Sequence, residues 1–290
     1  VNTSTAASPP FVILDRYLQD WLIEDIGRGD RTTQSLFPSG TGQNHAILMV
    51  KEDGVVAGLP IAARVFYLLD PCVTFKALAI EGGVYQKGET IAEIQGPFDA
   101  LLTGERVALN LAMRLSGIAT MTRRYVEKIK DLPARLVDTR KTTPGLRVLE
   151  KYATQVGGAV NHRMGLDDAV MIKDNHIVAA GGIGAAIAQV RAHIPYPLSI
   201  EVETEDLDQV EEALQHQADI IMLDNMPLDL MRSAVQRIRQ SNERIKIEAS
   251  GNVTIETIRA IAETGVDYIS SSAPVTRSPW LDLSMRFVKP

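Results

Sequence analysis

Arg135-Leu136-Val137-Asp138-Thr139-Arg140-Lys141-Thr142-Thr143-Pro144-Gly145 opens as a short apolar strand, ends in charge and breaks at Pro-Gly. A helical pattern follows around 146–154, and the same texture then recurs. Short apolar runs at 169–172, 198–202, 220–223, 245–249 and 268–269 alternate with helical patterns around 183–193 and near Leu207, Leu228 and Thr254. Strand–helix alternation of this kind predicts a parallel β/α array. Six strands fall short of the eight of a full barrel, so the expected fold is open-sided, with a gap that another element or subunit covers.

Upstream of Ala134 the texture differs. Phe11, Leu14, Leu18, Trp21 and Leu22 sit at helical spacing, closed by Gly27 and Gly29. Strands are expected over 45–50, 73–77 and 90–94, with a helix over 61–69. A long helix is expected from Thr103 as N-cap to about Ile129, with Arg106 in its first turn. The tail from Trp280 to Val288 alternates apolar and polar residues, as a strand returning to the N-terminal sheet would. The division that follows is a flexible lead-in over 1–10, an N-terminal domain over 11–116, an open (partial) α/β barrel over 117–275, and a tail strand over 276–290.

A composition of 45% hydrophobic and 23% charged residues is that of a globular chain. The net charge of −6 argues against a general nucleic-acid binder, so an anion site here must be a local basic pocket. With a single cysteine no intrachain disulfide forms; Cys72, in an apolar stretch, is expected as a small core residue. Neither a basic-then-apolar leader nor a membrane-length apolar run is evident, and the expected compartment is the cytoplasm.

In a parallel β/α array, chemistry collects where each strand ends. The six strands end in Asp138-Thr139-Arg140-Lys141, Lys173-Asp174-Asn175-His176, Glu201 with Glu203, Asp224-Asn225, Ser250-Gly251-Asn252 and Ser270-Ser271-Ser272. One such ending is commonplace, and an Arg-Lys pair alone is usually a solvated patch. The series is what carries the reading. Arg140, Lys141, His162, Arg163 and Lys173 suit carboxylates and phosphates. Glu203 and Asp224 offer hard oxygens for ribose hydroxyls or Mg²⁺. The Ser-Gly-Asn and Ser-Ser turns suit a phosphate. Together they point to a sugar phosphate that carries further anionic groups. His176 and His193 are expected to be structural or exposed, and Asp167 and Asp168 to support their loop.

At these residues the sequence resembles the quinolinate phosphoribosyltransferases, type II phosphoribosyltransferases. The matching motifs are Asp138 to Gly145, Asn161-His162-Arg163, Met171 to His176, Glu201-Val202-Glu203, Leu223-Asp224-Asn225, Glu248 to Asn252, and Gly104-Glu105-Arg106 with Ala108-Leu109-Asn110. Their order agrees over nearly the whole chain. The resemblance implies that the N-terminal domain over 11–116 is an α/β sandwich. It implies transfer of a phosphoribosyl group to quinolinate with decarboxylation, using Mg²⁺ and no organic cofactor. It implies a homodimer, extendable to a hexamer, in which Arg106 completes the neighbour's site. Arg106, Thr139, Arg140, His162, Arg163 and Lys173 would bind quinolinate. Lys141, Glu203, Asp224, Ser250, Gly251, Asn252, Ser271 and Ser272 would bind phosphoribosyl pyrophosphate, with Mg²⁺ near Glu203 and Asp224. Lys141, Lys173, Glu203 and Asp224 would carry the chemistry. Asn252 and Ser272 stand where many members have glycine. The rivals are a pyridine phosphoribosyltransferase that does not decarboxylate, a Schiff-base lyase using Lys173, and a non-catalytic sugar-phosphate binder.

Overall fold

The computed structural model describes residues 7–38 and 42–288; the first six residues of the expected lead-in lie outside them. In chain order the elements begin with α1 Phe11–Ile26, α2 Arg31–Leu36, β1 Gln43–Val50, β2 Gly54–Val55, α3 Leu59–Leu69, β3 Thr74–Ala77, β4 Val84–Tyr85, β5 Thr90–Pro97 and α4 Phe98–Ile129. Next come β6 Arg135–Val137, α5 Arg147–Gly157, β7 Val170–Ile172, α6 Asp174–Ala180, α7 Ile183–Arg191, β8 Ile200–Thr204 and α8 Leu207–Gln215. The chain closes with β9 Ile220–Asp224, α9 Leu228–Ser241, β10 Lys246–Ser250, α10 Ile258–Ala262, β11 Tyr268–Ser270, α11 Ala273–Thr276 and β12 Leu283–Phe287. Two compact units result. One holds Val1–Arg123, Thr143–Gly158 and Arg277–Pro290; the other holds Arg124–Thr142 and Ala159–Thr276.

The first unit is built on an antiparallel sheet in the order β12-β1-β5-β3. Ala46, Leu48 and Val50 of β1 are buried, and the alternation fixes the register, because a one-residue slip would turn them to the other face. The tail strand β12 pairs with β1, from Ala46 opposite Phe287 to Val50 opposite Leu283. Leu14, Leu18 and Leu22 form the buried stripe of α1, and Gly27 ends that helix at a φ of 56°. Glu81 caps α3: its carboxylate accepts the N–H groups of Gly58 and Leu59, each at 2.8 Å, and also the Tyr152 hydroxyl. Helix α5 belongs to this unit through the Arg114–Glu150 ion pair at 2.8 Å and the close seat of Gly157 against Thr122 and Ala119.

Three expectations change here. Helix α4 starts at Phe98 with Asp99 in its first turn, directly after β5, so Thr103 is no cap and Arg106 lies in its third turn. The Thr103 hydroxyl is instead bonded to Asp30 at 3.3 Å. Residues 116 and 117, the expected division between the two domains, lie within this continuous 32-residue helix. Cys72 is exposed, because Asp70-Pro71-Cys72 forms a turn in which the Cys72 N–H is bonded to the Asp70 carboxylate.

The second unit is a six-stranded sheet in the order β6-β11-β10-β9-β8-β7, all parallel. The first and last strands are neighbours, while β6 and β7 are not paired. This is a barrel open at one seam. Val160 makes a parallel bridge to Val137 beside β6, and the segment that follows carries His162 and Arg163. Because the strands are parallel, their C-terminal ends share one rim. Among the described residues no helix is long and apolar enough to cross a membrane.

Candidate active site

At the rim of the second unit the strand-end residues come together. Lys173, just after β7, donates a hydrogen bond to Glu203 on the neighbouring strand β8. Burial pushes the Glu203 carboxyl above its ordinary value; Lys173 opposes this, and the charges of Asp224 and Asp174 reinforce it. Two carboxylates and a lysine therefore meet at the ends of β7, β8 and β9. Burial, then the charge of Arg140, lowers the Arg163 guanidinium from its ordinary value, with Glu201 and Glu203 opposing. Arg140 and Arg163 thus form a cationic wall. Nε of Arg140 is buried there without a hydrogen-bond partner. A guanidinium so placed is costly unless it receives an anion.

Buried groups hold the wall. The Asp138 carboxylate, at 2% exposure, accepts the His162 N–H at 2.8 Å and the Asn161 amide at 2.6 Å. Arg163 is held in turn by a bond to the Ala169 carbonyl at 2.9 Å. The His162 ring is engaged at both nitrogens. Nδ1 accepts the Arg163 N–H at 2.7 Å, and Nε2 lies 3.2 Å from Glu201 and 3.5 Å from Glu248. An acceptor at Nδ1 requires the proton on Nε2, so the ring donates toward the two carboxylates. The three side chains are close enough to share a metal ion. A metal at Nε2, however, would call for a proton on Nδ1, facing the Arg163 N–H, so hydrogen bonding fits the ring better. Burial, then the charge of Glu201, raises Glu248 to about 7, and His162 opposes the shift. Glu248 then holds a proton near neutrality.

The two small-residue turns expected to take a phosphate differ in kind. Gly251 has a φ of 94° and Asn252 a φ of 49°, so Asn252 keeps the left-handed backbone that glycine would favour. Ser250 is half-buried. Ser271 is buried, its hydroxyl 3.3 Å from the Val253 carbonyl, whereas Ser272 is half-buried and lies outside the left-handed region. Lys141 is exposed, and Thr139 Oγ1 accepts its N–H at 3.1 Å. Arg106 is exposed on α4, within the first unit. His193 is exposed; His176, also exposed, accepts the Lys173 N–H at 3.0 Å in the first turn of α6, a helix that the sequence reading missed. Asp168 accepts the Met164 N–H at 2.7 Å, supporting its loop.

The sequence motifs contain Glu201 and Glu248 without pointing to a task for either. The signal was there: each stands two residues before a polar strand end, Glu203 and Ser250, on the same strand face. Two sequence models match the chain: the C-terminal domain of quinolinate phosphoribosyl transferase over residues 118–286, and its N-terminal domain over 30–116. A probable carboxylating nicotinate-nucleotide pyrophosphorylase of Synechocystis sp. is 62% identical over 281 residues, covering 97% of this chain and 95% of the relative. A probable enzyme of the same description from Bacillus subtilis is 47% identical over 272 residues, covering 94% and 92%. The crystal structure of NadC from Streptococcus pyogenes superposes with a TM-score of 0.92 at 43% identity, covering 98% of this chain and 100% of that one. With both of its halves matched, the chain belongs to the quinolinate phosphoribosyltransferase family.

Proposed function

We infer that the rim of the second unit transfers the phosphoribosyl group of phosphoribosyl pyrophosphate to quinolinate, giving nicotinate mononucleotide, pyrophosphate and CO2. The reading rests on one juxtaposition: a double-arginine wall suited to a dicarboxylate stands beside a carboxylate pair suited to a ribose. Arg140, Arg163, Lys173 and Thr139 receive quinolinate, and His162 serves them by fixing where Arg163 leaves the backbone. Lys141 faces the pyrophosphate, and Ser250, Gly251, Asn252, Ser271 and Ser272 receive the 5′-phosphate.

Mg²⁺ brought by the substrate pyrophosphate would be held near Glu203 and Asp224, where it would neutralise charge on the leaving group. Glu203 fits such an ion, because a nearby divalent cation relieves the repulsion from Asp224 and Asp174. The cationic set holds two polyanions side by side that would otherwise repel each other. The ring nitrogen of quinolinate bonds to C1′ as the C1′–O bond to pyrophosphate breaks, its electron pair leaving with the pyrophosphate. Glu203 and Asp224 stabilise the positive charge that develops on the sugar. The alkylated ring then accepts the electron pair of the departing carboxylate, and a proton at that carbon completes the product. The ring is its own electron sink, so no organic cofactor is required.

Incubation with quinolinate, phosphoribosyl pyrophosphate and Mg²⁺ tests this reading; failure to form nicotinate mononucleotide would sink it. We place the enzyme in the cytoplasm as a homodimer, with hexamers as a further assembly, and Arg106 reaching the partner's site. Inactive Arg106→Ala and Lys173→Ala proteins should then regain partial activity on mixing. A mixture that exchanges subunits and stays inactive would remove Arg106 from a shared site.

A further inference from the structure

Asn225 follows β9 in a left-handed conformation, at a φ of 54°. Its N–H donates to the Ser250 carbonyl at 3.0 Å. Its side chain lies flat over Gly251, where a Cβ would stand 2.2 Å from Oδ1 and 2.9 Å from the Asn225 nitrogen. Its Oδ1 accepts the Asn252 amide at 3.1 Å, and its Nδ2 donates to Asp224 Oδ2 at 2.9 Å. An ionised carboxylate only accepts, so the amide nitrogen must face Asp224 and leave the oxygen to Asn252. Asn225 therefore meets all three residues of the turn after β10, Ser250 through its backbone N–H and Gly251 and Asn252 through its side chain, while the same side chain holds the carboxylate that ends β9. Glycine at 251 leaves the space this requires.

We propose that Asn225 is a positioning residue that couples the phosphate turn Ser250-Gly251-Asn252 to the orientation of Asp224. The proposal rests on the roles given above to that turn and to Asp224. A ligand with a phosphate at the turn and ribose hydroxyls at Asp224 spans both ends of the relay. Fixing the turn holds Asn252, which holds the Asn225 amide, which holds the Asp224 carboxylate. Asn252 belongs to the device: glycine there would keep the backbone and remove the donor.

The test uses Asn225→Asp, Asn225→Gly, Asn252→Gly and the double glycine variant, with folding checked by circular dichroism. Both glycine changes suit the left-handed backbone. Asn225→Asp keeps the shape and the acceptor for Asn252 but removes the donor to Asp224. We expect kcat to fall about tenfold or more in both Asn225 variants. The quinolinate KM should stay within about twofold, since Asn225 touches none of that set. The double variant should be no worse than Asn225→Gly, because one relay is cut once. Wild-type kcat in folded Asn225→Asp, or additive losses, would overturn the proposal. An inactive wild-type protein would instead reject the reaction. The relay would then be read from a crystal structure of Asn252→Gly, where the Asn225 amide should have turned from Asp224; an unmoved amide overturns the coupling.

Discussion

Lys173 donates to Glu203 from one strand end to the next, joining a residue given to quinolinate with one given to the ribose. Lys173→Ala leaves a half-buried carboxylate already pushed upward by burial and by Asp224, now without its cation. Turnover should fall, and the acidic limb of the pH profile should move to higher pH as Glu203 takes up a proton more readily. Initial rates across pH check this. An unmoved acidic limb would separate the two groups functionally.

Arg140→Ala should raise the quinolinate KM by about tenfold to a hundredfold, the range of a hydrogen bond to a charged group. The buried, unpartnered Nε of Arg140 is the reason. Arg140→Lys should recover little, because an ammonium cannot reproduce the fork. Steady-state kinetics at saturating phosphoribosyl pyrophosphate decide it, and an unchanged KM would take Arg140 out of the site.

Glu248 gives a pH dependence of stability. Its carboxyl rises from an ordinary 4.5 to about 7, so the folded state binds more protons than the unfolded one between those values. Stability from this group is therefore complete below about 4.5 and is lost as pH rises through about 7. A full shift of that size is worth on the order of 3 kcal/mol. Glu248→Gln mimics the protonated form and should raise Tm relative to wild type at pH 8 more than at pH 5.5, by about a few degrees. Equal gaps at the two pH values would contradict the buried proton.

Gly117 lies where a Cβ would meet the Pro279 carbonyl oxygen at 1.9 Å. Alanine favours a helix over glycine by about 1 kcal/mol, whereas overpacking against backbone costs about 1–3 kcal/mol. The clash wins, so Gly117→Ala should lower the denaturant midpoint. An unchanged or higher midpoint would show that the tail gives way freely.

Period and strand-end chemistry made the barrel legible. Runs such as Ile220-Ile221-Met222-Leu223 before Asp224 announce buried parallel strands, and their polar ends named most of the rim. The start of α4 was illegible because Phe98 follows β5 without a break, and Thr103 resembled a cap. Short helices such as α6 carry too few turns for a period to register. Glu201, Glu248 and Asn225 escaped for another reason. Their tasks depend on His162 and Asn252, which are distant from them in sequence and become neighbours only when the sheet closes around them.

Quinolinate labelled in its 2-carboxylate, incubated with phosphoribosyl pyrophosphate and Mg²⁺, tests the central claim most directly. The account predicts labelled CO2 and nicotinate mononucleotide in equal amounts, both lost in Asp224→Ala. Nicotinate converted to mononucleotide without any release of CO2 from quinolinate would contradict it.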